Sequence, residues 1–145
     1  MSARVVDIAR AWIGTPYVHQ GSARGAGTDC LGLIRGVWRQ LYGSEPEVAP
    51  AYTPDWGEID GDELLMQAAL RNLIPVEPGG RATPGEVLLF RMRDGAVAKH
   101  LGIRAGVGEA ASFVHAYDRH GVVESPLSAP WQARIAARFR WPEPR

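Results

Sequence analysis

After Pro84 the spacing of apolar residues changes, and that change constrains the fold more than any other feature of the chain. Before it, apolar residues recur at helical intervals. Val5, Ile8, Ala9 and Trp12 predict a first helix that Gly14-Thr15-Pro16 stops. Cys30, Leu33, Ile34, Val37, Trp38 and Leu41 form a series i, i+3, i+4, i+7, i+8, i+11, which predicts a second helix over about residues 29–42, ending before Gly43. Leu65, Ala68, Ala69 and Asn72 share one face of a third, over about residues 62–72. Beyond Pro84, "GEVLLFRMR" and "AKHLGIRAG" read as strands joined across Asp94-Gly95, a hairpin dipeptide. "SFVHAYD" and "GVVES" read as two more turning at "RHG", and "ARIAARFRW" as a last one. Helices followed by an antiparallel meander define an α+β domain, its N-terminal helices packed on an antiparallel sheet.

The 145 residues carry no internal repeat and form one domain over residues 1–145, long enough to bury a core. Sixteen Lys and Arg balance sixteen Asp and Glu, so no net basic field argues for a nucleic-acid partner. The 17 Gly and 11 Pro make the chain loop-rich, with residues 44–62 a long acidic surface loop, yet 46% hydrophobic residues exclude disorder. A single cysteine forms no internal disulfide. Asp7 and Arg10 interrupt the apolar residues of "MSARVVDIARAWIG", which is therefore not patterned as a signal peptide. No run approaches the roughly 18–20 apolar residues of a membrane-spanning helix. The expectation is a protein made in the cytoplasm, without its own Sec export route.

The lone Cys30, in "GTDCLGLIRGVW", has two competing roles. It lies on the apolar stripe of its helix, and free cysteine is among the most buried residue types. It also falls in the first helical turn, where unpaired N–H groups and the positive dipole end favour a thiolate. The glycine-rich loop before it leaves little bulk over the sulfur. Gly32 and Gly36, one turn apart, each cost on the order of 1 kcal/mol against alanine, so close packing must require them. Asp29 is placed to cap the helix. A thiolate nucleophile needs an oriented base, and four histidines are available. Alternation along "KHLGIRAG" puts His100, Gly102 and Arg104 on one face, where Gly102 would admit the cysteine helix. His115 shares a face with Phe113 and Tyr117, while His19 in a loop and His120 in a turn have weaker support.

The blocks "GTPYVHQGSARGAGTDCLGL", "KHLGIRAG" and "FVHAYD", in this order over about residues 5–118, resemble the NlpC-type cysteine peptidases of bacterial cell walls. The resemblance implies a papain-like core with the cysteine heading a helix and the histidines on the sheet. It implies Cys30 as nucleophile, His100 as general base and His115 as the polar member that orients the base. It further matches Tyr17 to a tyrosine near the nucleophile and Asp29 to the acid that helps hold the free amine of a peptidoglycan stem peptide. The implied reaction is cleavage of the bond between D-glutamate and a diamino acid, without metal or other cofactor. Two positions depart from the usual pattern: His19-Gln20 stand where many members have Trp-Gly, and Leu31 where many have serine.

The implied mechanism has His100 take the Cys30 proton, the helix dipole stabilise the thiolate, and Cys30 attack the amide carbonyl to give a thioester that water releases. The Cys30 N–H and the Tyr17 hydroxyl would face the oxyanion. Two alternatives stand beside it: a zinc-dependent hydrolase using Cys30, His100 and His115, and a catalytically silent adaptor subunit. An activated thiol is expected to alkylate rapidly near neutral pH, whereas a core thiol reacts slowly. The "PYVHQG…GTDCLGL" variant resembles peptidases of phage tails and gene-transfer particles, which implies tail hub or baseplate partners and action in the periplasm; cytoplasmic wall recycling is the alternative. Seven acids, Glu45, Glu47, Asp55, Glu58, Asp60, Asp62 and Glu63, lie between Arg39 and Arg71 with no Lys or Arg among them. They are either solvated surface or, with exposed Tyr52 or Trp56 as anchors, a docking site for a basic hub protein.

Overall fold

A computed structural model describes residues 1–52 and 62–143. Helix α1 (Ser2–Arg10) leads through a turn-rich segment to a two-residue hairpin, β1 (Ser22–Ala23) and β2 (Gly27–Thr28), and then to α2 (Cys30–Tyr42) and α3 (Leu64–Asn72). A six-stranded sheet follows: β3 (Ile74–Pro75), β4 (Val87–Arg91), β5 (Ala98–Arg104), β6 (Ser112–Tyr117), β7 (Gly121–Pro126) and β8 (Ile135–Arg140), with a short α4 (Ala129–Ala133) between the last two. The spatial order is β3-β8-β4-β5-β6-β7 and every pairing is antiparallel. Strands β4 to β7 form the expected meander. The last strand returns past it to pair with the free edge of β4, which an uninterrupted meander does not anticipate.

The sheet is apolar on both faces. Toward α1 and α2 it presents Val87, Leu89, Leu101, Ile103 and Val114 to Val5, Ala9, Leu33, Val37 and Leu41. The opposite face buries Leu88, Phe90, Phe113 and Leu127, closed over by Trp131 and Ile135. This second layer explains why "VLLF" is a continuous apolar run: all four residues are fully buried, two on each side. At one end of the sheet the buried Glu86 receives Arg138 Nε at 2.9 Å, Arg104 Nε at 3.3 Å and the Thr83 N–H at 2.9 Å, tying β5 and β8 to the start of β4. Burial pushes its carboxyl up, but Arg138, the Thr83 N–H and Arg104 together hold it below the ordinary glutamate value.

The two helical glycines are required by contact. A Cβ on Gly32 would lie 1.8 Å from the Gly21 carbonyl oxygen, and one on Gly36 would lie 2.1 Å from the Trp12 ring. Gly102 departs from expectation. A side chain there would strike Phe113 at 2.8 Å and His115 at 3.4 Å, so the glycine admits the neighbouring strand and not the cysteine helix.

Candidate active site

Cys30 is the first residue of α2, and the reason is the cap before it. Asp29 adopts extended backbone (φ −104°, ψ −172°), and its Oδ1 accepts the Gly32 N–H at 2.7 Å. Its Oδ2 accepts the Gln20 N–H at 2.7 Å and the Tyr52 hydroxyl. The carboxylate expected to hold a substrate amine is therefore engaged by three protein donors and almost fully buried. Tyr17 reaches the same helix start through a bridge to Thr28. Burial first, then Cys30 and Asp29, raise its hydroxyl above the ordinary tyrosine value, so it stands as a neutral donor.

The thiol lies against β5. Cys30 Sγ is 3.7 Å from the carbonyl oxygen of Lys99, the residue just before His100, and this carbonyl is the thiol's hydrogen-bond partner. Beyond it the two predicted histidines meet: His100 Nε2 is 2.8 Å from His115 Nδ1. The Nδ1 of His100 takes no part in this contact. His115 Nε2 in turn lies 2.9 Å from Ser125 Oγ on β7. Trp131 packs over the pair, its ring 5.7 Å from His100 and 5.3 Å from His115, with Phe90 and Phe113 beneath. The pair is sealed from bulk water, with His100 8% and His115 0% exposed.

Burial dominates the protonation of all three groups. It pushes the Cys30 thiol up to about 12, with the Asp29 carboxylate adding to the effect. It pushes His100 down to about 3, with His115 next in importance, and His115 down to about 4, with His120 next. The neutral form of all three groups is thus favoured, and the thiol's hydrogen bond runs to the Lys99 carbonyl and not to a histidine. Burial here works against the thiolate that the helix-start position favours.

The zinc alternative fails on geometry. Among the described residues no three or more His, Cys, Asp or Glu side chains converge as a metal site requires, and the facing nitrogens of His100 and His115 bond each other. His19 is exposed, with Nε2 2.9 Å from the Tyr52 carbonyl oxygen, and His120 stacks on Tyr117 at the rim. Neither reaches the thiol. Three of the seven acids of the segment between Arg39 and Arg71 have partners within the chain. Glu45 is bonded by Arg35 and Arg39, Glu47 by Arg71 and Asn72, and Glu63 by Arg91 and the Ala98 N–H. Tyr52 is half-buried on Asp29 and is no exposed anchor; Asp55, Trp56, Glu58 and Asp60 lie outside the described residues. An apolar cavity of about 200 Å³ between α2 and α3, lined by Leu31, Ile34, Trp38, Leu65 and Ala69, includes neither Cys30 nor the histidines.

Ser125 and Trp131 join the histidine pair without a sequence signal of their own, whereas Gln20, which departs from the usual pattern, bonds Asp29 through its N–H. Ser125 was accessible in principle: a hairpin turning at residues 119–120 pairs 113 with 125, which places Ser125 on the face of His115. Trp131 sits in a five-residue helix too short to show a period.

A helix-capped thiol packed on an antiparallel sheet that carries a bonded histidine pair defines an α+β domain of the NlpC/P60 type. The NlpC/P60 family model matches residues 14–140, and the chain belongs to that family. It is 28% identical over 135 residues to the murein DD-endopeptidase MepS/murein LD-carboxypeptidase of Escherichia coli strain K12, covering 92% of this chain and 60% of that protein. It is 30% identical over 141 residues to the γ-DL-glutamyl hydrolase of Bacillus subtilis strain 168, covering 94% and 29%. The chain thus spans less than two thirds of these relatives. Among solved structures, the NlpC/p60 domain of the peptidoglycan hydrolase SagA superposes with a TM-score of 0.61 at 25% identity, covering 96% of this chain and 97% of that one. A lipoprotein-like NLP/P60 family protein of Staphylococcus aureus Mu50 gives 0.64 at 24% identity, covering 98% and 41%, a likeness of fold.

Proposed function

We propose that this chain is a cysteine peptidase domain that hydrolyses peptidoglycan stem peptides, with the D-glutamyl–diamino acid bond as its target. The observation that carries the reading is the Cys30 thiol at a capped helix start, against the strand whose next residue, His100, is bonded to His115. The names of the relatives, a murein endopeptidase and a γ-glutamyl hydrolase, agree in substrate class. His100 Nδ1 takes the thiol proton as the sulfur leaves the Lys99 carbonyl and attacks the amide carbon. The sulfur–carbon bond forms as the carbonyl becomes an oxyanion, facing the Cys30 N–H and the neutral Tyr17 hydroxyl. The proton on His100 passes to the leaving amine, and water then cleaves the thioester. Because burial favours the neutral thiol and imidazole, proton transfer accompanies attack instead of preceding it. Incubation with defined muropeptides, followed by mass spectrometry of the fragments, tests this. Fragments carrying a new diamino-acid amine are expected from the wild type and none from Cys30→Ala. Cleavage retained by Cys30→Ala would remove the nucleophile, and an inactive wild type would favour the adaptor reading.

The biological setting proposed with this activity is local wall penetration by a phage-like tail, acting in the periplasm. Its support is the "PYVHQG…GTDCLGL" block. Finding the chain in purified particles by mass spectrometry supports it, and finding it only in the cytoplasm replaces it with wall recycling.

A further inference from the structure

We propose that Ser125 is a positioning residue that supports the tautomer of the histidine pair in which Nδ1 of His100 is left bare to act as the base. The inference rests on the peptidase reading for its kinetic consequence but not for its structural one. The three groups form a single file: His100 Nε2 to His115 Nδ1 at 2.8 Å, His115 Nε2 to Ser125 Oγ at 2.9 Å. Each neutral imidazole carries one N–H, so the file runs in one of two directions. In the first, His100 Nε2–H donates to His115 Nδ1, and His115 Nε2–H donates to Ser125 Oγ. This leaves His100 Nδ1 bare, as a base must be. In the second, Ser125 O–H donates to His115 Nε2, and His115 Nδ1–H donates to His100 Nε2. The proton of His100 then sits on Nδ1, and the residue is useless as a base.

The hydroxyl at the end of the file can serve either direction, but only the first direction depends on its acceptor oxygen. His115 is fully buried beneath Trp131 and Phe113, so an Nε2–H without an acceptor there leaves a buried donor unsatisfied. Ser125, half-buried on the edge strand β7, supplies that acceptor. Without its hydroxyl, His115 lowers its energy by moving its proton to Nδ1, where His100 Nε2 accepts it, and the pair switches to the unproductive direction. When His100 becomes imidazolium during attack, its Nε2–H still donates to His115, and the hydroxyl still receives the His115 N–H.

The test compares Ser125→Thr with Ser125→Val, which match in shape and differ by the hydroxyl. Histidine ring nitrogens of the ¹⁵N-labelled full chain are read by NMR, and kcat and KM are read on a muropeptide. We expect wild type and Ser125→Thr to carry the His115 proton on Nε2. Ser125→Val is expected to carry it on Nδ1 and to lose about tenfold in kcat, one hydrogen bond's worth, with KM nearly unchanged. A Ser125→Val chain that keeps the Nε2 proton, or that keeps wild-type kcat, overturns the proposal. An inactive wild type whose tautomers nonetheless respond as described would sink the peptidase reading and leave the tautomer assignment standing.

Discussion

Burial governs Cys30 more strongly than its position on a helix does. Raising the thiol from 9.0 to about 12 corresponds to roughly 4 kcal/mol against the anion, while a helix N-terminus returns ~0.3–2 kcal/mol. The dipole loses. Iodoacetamide should therefore alkylate Cys30 at pH 7 more slowly than a free cysteine, the rate climbing with alkali. Mass spectrometry of the time course checks this, and a burst of labelling at pH 7 contradicts it. Nucleophile and base act as a unit, so His100→Ala should lower cleavage nearly as far as Cys30→Ala. His115→Ala should cost about tenfold less than His100→Ala, since a water can replace an orienting group in part but not the base. Muropeptide assays of the two variants set the order, and the reverse order would exchange their roles. Gln20 shows what sequence motifs hide at this scale. It holds φ at +64°, where glycine is the unstrained residue, and its side chain bonds the Tyr52 carbonyl at 2.6 Å. The departure from the common Trp-Gly pair thus ties residue 52 across the helix start.

At the scale of elements, α2 is fixed by two contacts that leave no room for a methyl group. Gly32→Ala would set a Cβ against the Gly21 carbonyl and Thr28 Oγ1, both parts of the loop that precedes the nucleophile. A cost of about 1–3 kcal/mol is expected, with loop displacement carrying activity down alongside the denaturation midpoint. An unchanged midpoint would show that the loop yields freely. Glu86→Ala should be worse, about 3–5 kcal/mol, because it leaves the buried Arg104 without its carboxylate; thermal melting reads the difference. These elements were legible to different degrees for physical reasons. Helices α1 to α3 announce themselves by an apolar face at the helical period, and β4 by a continuous apolar run bounded by turn residues, buried on both faces. Strands β1, β2 and β3, of two residues each, and the five-residue α4 are too short to carry a period. Cys30, His100 and His115 were legible as a motif. What charge composition could not reveal is partnership: Glu45, Glu47 and Glu63 look like a free acidic surface until the fold brings Arg35, Arg71 and Arg91 to them. Nor could it show that Glu86 is buried at all.

For the molecule as a whole, the same buried groups make stability depend on pH from both sides. His100 and His115 have folded values near 3 and 4 against an ordinary 6.5. Below 6.5 the unfolded chain takes up protons that the folded chain refuses, so stability is full above about 6.5 and falls as pH drops toward 4. Glu86, held below its ordinary value by Arg138, Thr83 and Arg104, pulls in the same direction at lower pH, since its stabilisation is lost as it protonates. Cys30 acts on the alkaline side. Its folded value of about 12 lies above the ordinary 9.0, so its contribution is complete below 9 and drains away as pH rises toward 12. Among the described residues no helix is long and apolar enough to cross a membrane. Urea denaturation maps the curve. The urea midpoint should form a plateau between about pH 6.5 and 9 and decline on either side. His115→Gln, which keeps a neutral donor and acceptor but cannot charge, should make the acid limb shallower, His100 and Glu86 supplying the rest, and leave the alkaline one. Cys30→Ala should move the start of the alkaline decline from about pH 9 toward 10, where the half-buried tyrosines Tyr17 and Tyr52 take over. A midpoint that stays level from pH 4 to 7 in the wild type would mean that the histidine pair opens to water and charges without unfolding, and the sealed site described above would have to give way to an open one.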